Sequence, residues 1–255
     1  MKRIAWIAVL AVSGCLTGLR GQVHAQEITA TEIIQRATDL LNGESNRAEM
    51  KMTVIRPSWS REITMKSWSL GDDYSLILIT APAKEKGQTF LKRHTDMWNW
   101  MPSINRMIKI PPSMMSQSWL GSDFTNDDLV KMNSYVNEYT HSLAGSEILQ
   151  GMDCHIIELV PKPDAPVVWG KVMVWISKED YFELKLEFYD EDGRLVNRQE
   201  CSDIRQFSDR RLPSKMTMSP VDEPGKQTII EVLDTEYNIS IGESFFSQQN
   251  MKTVR

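Results

Sequence analysis

The strongest constraint on the fold of this chain is an apolar–polar alternation with a period of two that recurs along most of its length. Met50 and Met52 alternate with Glu49 and Lys51, and the same pattern runs from 182 to 188. Successive side chains of a β-strand point to opposite faces, so each such strand has one buried and one wet face, as in an antiparallel sheet. In the second segment the buried side is predicted to be Phe182, Leu184, Leu186 and Phe188, and the wet side Glu183, Lys185 and Glu187.

Turn signals separate these strands at short intervals, and Asp192-Gly193 is a strong hairpin marker. One amphipathic helix from Ile28 to Leu41, ended by Asn42-Gly43, precedes them. Further strands are predicted at 61–69, 74–80, 87–93, 96–101, 134–140, 152–160, 171–177, 195–206, 212–219 and 227–237. About ten strands behind one helix predict a mainly β (α+β) domain with a highly curved antiparallel sheet or an incomplete barrel.

The first 25 residues have the pattern of an export signal. Two basic residues precede an apolar run, and a more polar tail ends at Ala25, which predicts a secretory signal peptide cleaved after that residue. The run is shorter than the roughly 20 residues that a permanent membrane-spanning helix needs. The alternative is that Val12-Ser13-Gly14-Cys15 is a lipobox, so that residues 1–14 are removed and Cys15 is lipidated. Either processing predicts an exported protein in which residues 26–255 form one domain.

Charge and cysteine content narrow the function classes. The formal net charge is −5 and becomes more negative once the basic residues of the signal are removed, which argues against binding nucleic acid by bulk charge. Cys154 and Cys201 remain in the mature chain, and two cysteines in an oxidising compartment can form a disulfide. Two separate buried thiols are the alternative, because spacing in the sequence does not place them within bonding distance.

The segment from Trp98 to Leu129 departs from the regular strand pattern. It places Trp, Met, Phe and Leu side chains between Pro, Gly and Ser residues. Methionine adapts to irregular apolar shapes, and tryptophan offers a large apolar face with one polar handle. We interpret the segment as a lid over an apolar cavity, with a helical piece from Ser113 to Leu120 bounded by hinges at Pro112 and Gly121.

The cavity and lid are predicted to use Met50, Met52, Met65, Trp98, Trp100, Met114, Met115, Trp119, Leu120 and Phe124. Such a lining would hold an acyl chain, whose burial contributes about 0.8 kcal/mol per methylene, and still deform to release it. Plain core packing is the alternative for each of these residues, since the chain contains 15 methionines. Ser122 and Asp123 also have two interpretations. We expect them to cap a turn or short helix, and the alternative is that Asp123 pairs with an arginine and latches the lid.

Four segments resemble a known bacterial family. They are Arg47-Ala48-Glu49-Met50-Lys51-Met52, Ala81-Pro82-Ala83-Lys84-Glu85-Lys86-Gly87, Asp96-Met97-Trp98-Asn99-Trp100-Met101-Pro102 and Leu120-Gly121-Ser122-Asp123-Phe124-Thr125-Asn126-Asp127-Asp128-Leu129. In this order, behind an export signal and a helix, they are similar to the outer membrane lipoprotein-sorting proteins, relatives of the periplasmic lipoprotein carrier LolA. The resemblance covers nearly the whole mature chain.

The resemblance implies an unclosed barrel of about eleven strands with helices as a lid over a hydrophobic cavity. It implies a monomeric periplasmic carrier of lipid acyl chains or lipoproteins, without a cofactor. Its implied partners are an inner-membrane exporter of the resistance-nodulation-division type and an outer-membrane acceptor. In such carriers a barrel arginine bonds to lid carbonyls, and Arg47, Arg61 and Arg106 are the candidates here. The alternative function is a lipid-responsive sensor that binds a membrane-protein partner.

Signals of catalysis are weak. His94, His141 and His155 are the histidines of the mature chain, and none has the spacing of a metal-binding motif. Cys154 and His155 are neighbours on a predicted strand, so their side chains point to opposite faces and do not form a nucleophile–base pair. We therefore expect a binding protein with no catalytic residues and no metal.

Overall fold

The structure is a computed structural model, and it describes residues 28–131 and 135–255. The export signal, whether it ends at Ala25 or before Cys15, lies outside the described residues. Within the described part, one antiparallel sheet of thirteen strands dominates the molecule. The strands are β1 (Ser45–Arg56), β2 (Trp59–Leu70), β3 (Tyr74–Ala81), β4 (Thr89–Arg93), β5 (Asp96–Met101), β6 (Arg106–Ile110), β7 (Tyr139–Leu149), β8 (Met152–Pro161), β9 (Lys171–Ser177), β10 (Glu183–Tyr189), β11 (Leu195–Phe207), β12 (Arg210–Pro220) and β13 (Gln227–Tyr237).

The order of the strands explains why the sheet is curved but not closed. It runs β6-β5-β4-β3-β2-β1-β13-β12-β11-β10-β9-β8-β7, so that β1 pairs with β13 at the centre and β6 and β7 form the two edges. Residues 111–138 connect one edge to the other. The prediction of a mainly β, unclosed antiparallel sheet behind an N-terminal helix is therefore confirmed, with thirteen strands rather than about eleven.

The N-terminal helix α1 (Ala30–Asn42) forms as its sequence predicts. Thr29 caps it, because the Thr29 hydroxyl accepts from the Glu32 N–H while the Glu32 side chain accepts from the Thr29 N–H. Gly43 follows with a φ of 60°, which is unfavourable for a residue with a Cβ and ends the helix. The buried side of α1 includes Ile33 and Ile34, which pack into the main core against the sheet.

The lid segment is less helical than predicted. The helical piece expected from Ser113 to Leu120 is absent, and two short 3₁₀ turns, Pro112–Met114 and Trp119–Gly121, stand in its place. The backbone leaves the right-handed helical region at Ser118, whose ψ is 125°, and again at Leu120 and Gly121, whose φ angles are 50° and 72°. The regular helices of this region are α2 (Asn126–Lys131) and α3 (Tyr135–Glu138).

The two largest apolar clusters contain different tryptophans. The main core packs α1 and the lid residues Trp119 and Phe124 against one side of the sheet. A second cluster packs the C-terminal segment against β2–β5, and it consists of Trp68, Tyr74, Leu76, Leu78, Leu91, Trp100, Phe246, Met251 and Val254, with Trp98 against it. Trp98 and Trp100 therefore lie away from the lid, because Met97, and not its neighbour Trp98, faces the main core on β5. Their prediction as cavity or lid residues is wrong.

The disulfide prediction is also wrong. Cys154 on β8 and Cys201 on β11 are both free and buried. Strands β9 and β10 lie between them in the sheet, so three strand spacings, about 14 Å in total, separate the two. A disulfide requires Cα atoms within about 7 Å. The alternative interpretation, two separate buried thiols, is confirmed.

Candidate functional site: an apolar cavity and its lid

Two adjoining cavities lie between α1, the lid and the sheet. The first has a cavity volume of about 80 Å³ and is lined by the end of α1, by α3 and by strands β10–β13. The second has a cavity volume of about 170 Å³ and is lined by strands β1–β3, β12 and β13 together with Trp119. Both are bordered by Leu41, Met216, Val232, Thr235 and Tyr237. The space is predominantly apolar, as the sites of small ligands are.

The structure brings together some of the predicted cavity residues. Met50, Met65 and Trp119 line the second cavity, and Phe124 lines the first. Met52 is fully buried in the main core behind them, and Met115 and Leu120 pack against that core. Met114 is half-buried in the lid, where its carbonyl accepts from the Asn126 amide.

The lid is a compact loop whose apolar side chains point inward. The Trp119 N–H donates to the Phe124 carbonyl at 2.8 Å, and Ser118 pairs with Thr125 as an isolated antiparallel bridge. The Trp119 ring is almost fully buried and meets the edge of Phe90 at 5.4 Å between ring centroids. Its indole Nε1 has no hydrogen-bond partner among the described residues. The loop thus covers the second cavity with its largest apolar residue.

Two arginines of the barrel bind the carbonyls of this loop. Arg56 Nη2 donates to the Gly121 carbonyl at 2.8 Å, and Arg61 Nη2 donates to the Leu120 carbonyl. The positive φ angles of Leu120 and Gly121 shape the backbone that presents both carbonyls to the guanidinium groups. Of the three candidate arginines Arg61 is in this position, whereas Arg47 pairs with Glu236 on the surface and Arg106 is exposed on β6.

Arg56 was not among the candidates, yet it makes the more extensive contact with the lid. Its Nη1 lies 3.0 Å from Asp123 Oδ2, which also accepts from the Thr228 hydroxyl at 2.7 Å. The Asp123 N–H in turn donates to the same hydroxyl oxygen at 2.9 Å. The expectation that Asp123 is a capping residue is therefore wrong, and its alternative as a latch describes the observed ion pair. The capping box belongs to Thr125 and Asp128, at the start of α2.

The first cavity contains a carboxyl group that the alternation pattern placed on the wet face. Glu183 is paired with Ile176 across the sheet, whereas Lys185 is paired with Trp175, so a β-bulge at position 184 shifts the register by one residue. The bulge turns Glu183 onto the face of Ile176, a residue of the main core, and into the cavity. Burial raises the pKa of Glu183 to about 7.

Some other polar groups of the first cavity have partners within the protein. Asp128 Oδ1 accepts from Trp169 Nε1 at 3.0 Å, and Arg36 Nη1 donates to the Tyr181 hydroxyl at 2.7 Å. Burial raises the pKa of Asp128, and it raises the pKa of Tyr135 well above the ordinary value of a tyrosine. Across residues 28–131 and 135–255, no group of three or more His, Cys, Asp or Glu side chains is arranged to hold a metal ion. The same residues include no helix of the length and apolarity needed to span a membrane.

Known proteins share this fold. A family model described as an uncharacterized protein family matches residues 71–253. A search of curated proteins found no significant sequence match. The crystal structure of a putative outer membrane lipoprotein-sorting protein domain from Vibrio parahaemolyticus is 26% identical, with a TM-score of 0.78 over 88% of this chain and 98% of that one.

Two further crystal structures support the same architecture. A DUF1329 family protein from Desulfovibrio piger is 23% identical, with a TM-score of 0.80 over 87% of this chain and 97% of that one. A LolA superfamily protein from Nitrosomonas europaea is also 23% identical, with a TM-score of 0.76 over 88% and 99%. At 23% identity these two structures show a shared fold only. The match covers nearly the full length of each relative.

Proposed function

We propose that this chain, which belongs to the uncharacterized protein family whose model matches residues 71–253 and shares the fold of outer membrane lipoprotein-sorting and LolA superfamily proteins, is a monomeric periplasmic carrier of lipid acyl chains, free or attached to lipoproteins. One observation carries the proposal: an apolar cavity lies beneath a loop that two arginines hold closed. A carrier must hide acyl chains from water during transit, and this cavity lies behind the loop that bears Trp119.

The contacts of the lid suit repeated opening. Arg56 and Arg61 donate to lid carbonyls, and Arg56 also forms the buried ion pair with Asp123. A hydrogen bond to a charged group contributes up to about 3 kcal/mol net, so a small number of polar contacts holds the loop closed. Contact with a membrane partner would supply the free energy that releases the loop. We propose an inner-membrane exporter of the resistance-nodulation-division type as this partner, and an outer-membrane acceptor for delivery.

The proposal is tested by changing the lid where it faces the cavity. Trp119→Asp places a carboxylate at a buried apolar position, and we expect it to abolish retention of a fluorescent acyl-chain probe while the far-ultraviolet circular dichroism of the sheet is kept. Ile148→Asp, at an apolar residue of β7 that is 74% exposed, is the control and should retain the probe. Equal retention by Trp119→Asp and the parent would refute the lid assignment.

A lipid-responsive sensor is the second candidate, and an exposed edge favours it. Strand β7 forms one edge of the sheet, and its Leu143 and Ile148 are 52% and 74% exposed. An open strand edge with exposed apolar side chains can bind a partner by adding a strand. A sensor would form a stable complex with one protein partner whose affinity changes with lipid. A carrier would transfer its lipid and return empty.

A further inference from the structure

The carboxyl of Glu183 occupies an unusual position for an apolar cavity. The bulge at position 184 is what aims it inward, and bulges of this kind commonly redirect a side chain next to a functional site. The side chain keeps some accessible surface because it borders the cavity, although protein atoms surround it on its other sides. Among the described residues it has neither a hydrogen-bond partner nor an ion-pair partner.

The surroundings of Glu183 offer it no cation. The described side chains that line the first cavity include no Lys, Arg or His. Its polar members other than Glu183 are Asp128, Tyr135, Tyr181, Gln199, Cys201, Thr235 and Tyr237. Asp128, Tyr181 and Gln199 have partners within the protein, since Gln199 Nε2 donates to Cys201 Sγ at 3.5 Å. A buried carboxyl with no partner is costly, and a sheet that could have kept it outside by regular alternation turns it inward instead.

We propose that Glu183 is the recognition residue for the polar end of the cargo, and that this end is an amine on an otherwise apolar molecule. The inference rests on the carrier function proposed above and names its substrate class. An ammonium group would supply the missing cation and donate charge-assisted hydrogen bonds to the carboxylate. The apolar part of the molecule would extend into the second cavity, which adjoins the first along Met216 and Val232.

The same geometry discriminates against anionic amphiphiles. A fatty acid in this orientation would place its carboxylate against Glu183 and near Asp128, with no cation in the lining to offset the repulsion. A fatty alcohol would donate one hydrogen bond but would leave the charge of Glu183 uncompensated. The expected order of affinity is therefore amine, then alcohol, then fatty acid, at equal chain length.

The test compares dodecylamine, dodecanol and dodecanoate as competitors of a bound fluorescent apolar probe at pH 8. The wild-type protein should bind the amine at least about tenfold more tightly than the fatty acid, since hydrogen bonds to charged groups contribute enough for that ratio. Glu183→Gln and Glu183→Leu should remove the preference while the probe itself binds as before. Glu179→Gln, at an exposed carboxyl in the turn before β10, should keep it.

The pH dependence provides a second readout. Below pH 7 the Glu183 carboxyl takes up a proton, because burial raises its pKa to about 7, and the preference for the amine should decline in the wild type alone. The groups that face it are Asp128 on α2, Tyr135 on α3, Tyr181 before β10, Cys201 on β11 and Tyr237 on β13. Burial raises the pKa of Cys201 to about 12 and also raises the pKa of Asp128, Tyr135 and Tyr237.

The outcomes separate this inference from the carrier proposal. A preference for the amine that survives Glu183→Gln, or a wild-type protein that binds dodecanoate as tightly as dodecylamine, overturns the role of Glu183 while the carrier proposal stands. A protein that binds neither the probe nor any of the three amphiphiles overturns both.

Discussion

Arg56 and Asp123 make the buried ion pair on which closure of the lid depends most. Their side chains are only 12% and 5% exposed, so either charge would be left in a poorly hydrated position without the other. Thr228 and the Gly121 carbonyl satisfy the remaining hydrogen-bonding capacity of the pair. A single substitution at this site therefore affects stability and closure together.

Removing one partner should be much more costly than removing an exposed pair. We predict that Arg56→Ala lowers the free energy of unfolding by about 3 kcal/mol, because it leaves the Asp123 carboxylate buried and unpaired. Arg47→Ala, which breaks a surface pair with Glu236, should cost less than about 1 kcal/mol. Urea denaturation of both variants measures the difference. Equal losses in the two would contradict the role assigned to the Arg56–Asp123 pair.

Glu183 should make the stability of the protein depend on pH. Its pKa is about 7 in the folded state and near 4.5 when unfolded, so the folded state binds the proton more tightly. The stabilisation from this group is complete below pH 4.5 and is lost as the pH rises to 7, by about 3 kcal/mol. Glu183→Gln should therefore unfold at higher urea concentration than wild type at pH 8 but not at pH 4. A gain of the same size at both values would contradict the assignment.

The two cysteines should behave as independent thiols. Cys154 and Cys201 are buried on strands separated by two others. We predict that both react with a maleimide in denaturant without any reductant, and that dithiothreitol leaves the melting temperature of the native protein unchanged. Intact-protein mass spectrometry counts the labels. Labelling of both only after reduction would show that a disulfide forms.

At the scale of elements, the interior strands could be predicted from the sequence and the edges could not. Period-two alternation indicates a strand with one buried face. Strands β1 and β2 have such a face, whereas most residues of the edge strand β6 are exposed. β6 went unpredicted for this reason, and β7 was placed several residues too early. The bulge at position 184 escaped because alternation continues through it in the sequence, and only the pairing with β9 reveals the shift.

The lid illustrates the same limit. Its apolar composition predicted an inward-facing loop, and Trp119 and Phe124 are in the main core. Its conformation depends on the positive φ angles of Leu120 and Gly121, and a leucine in that region is not foreseeable from local propensity. The ion pair between Arg56 and Asp123 is formed by residues far apart in the sequence. Arg56 lies at the end of β1, and no local pattern distinguishes it from other arginines.

Gly121 offers a test of the lid at this scale. Its φ of 72° lies in the left-handed region, so Gly121→Ala should strain the loop at a cost of about 1 kcal/mol and speed the release of a bound apolar probe. Gly193→Ala, at a φ of 77° in a hairpin on the far part of the sheet, carries the same strain and serves as the control. Faster release from both variants would attribute the effect to general destabilisation and not to the lid.

At the scale of the whole molecule, the sheet carries two apolar surfaces, and a different segment of the chain covers each of them. The C-terminal segment covers the second cluster, and the Thr89 hydroxyl donates to the Met251 carbonyl at 3.0 Å. On the other side, α1 and the lid enclose space that the side chains of the chain do not fill. An open apolar interior lowers the stability of the empty protein, since unfilled volume loses packing contacts. A cargo that fills it would restore them.

The most direct measurement is mass spectrometry of the mature protein purified from a bacterial periplasm, first under native conditions and then after organic extraction. We expect a stoichiometric amphiphile that is lost from the Trp119→Asp variant and retained by Ile148→Asp. A wild-type protein that is empty on purification and takes up no added lipid would refute the carrier function, and the cavity residues would then be ordinary core.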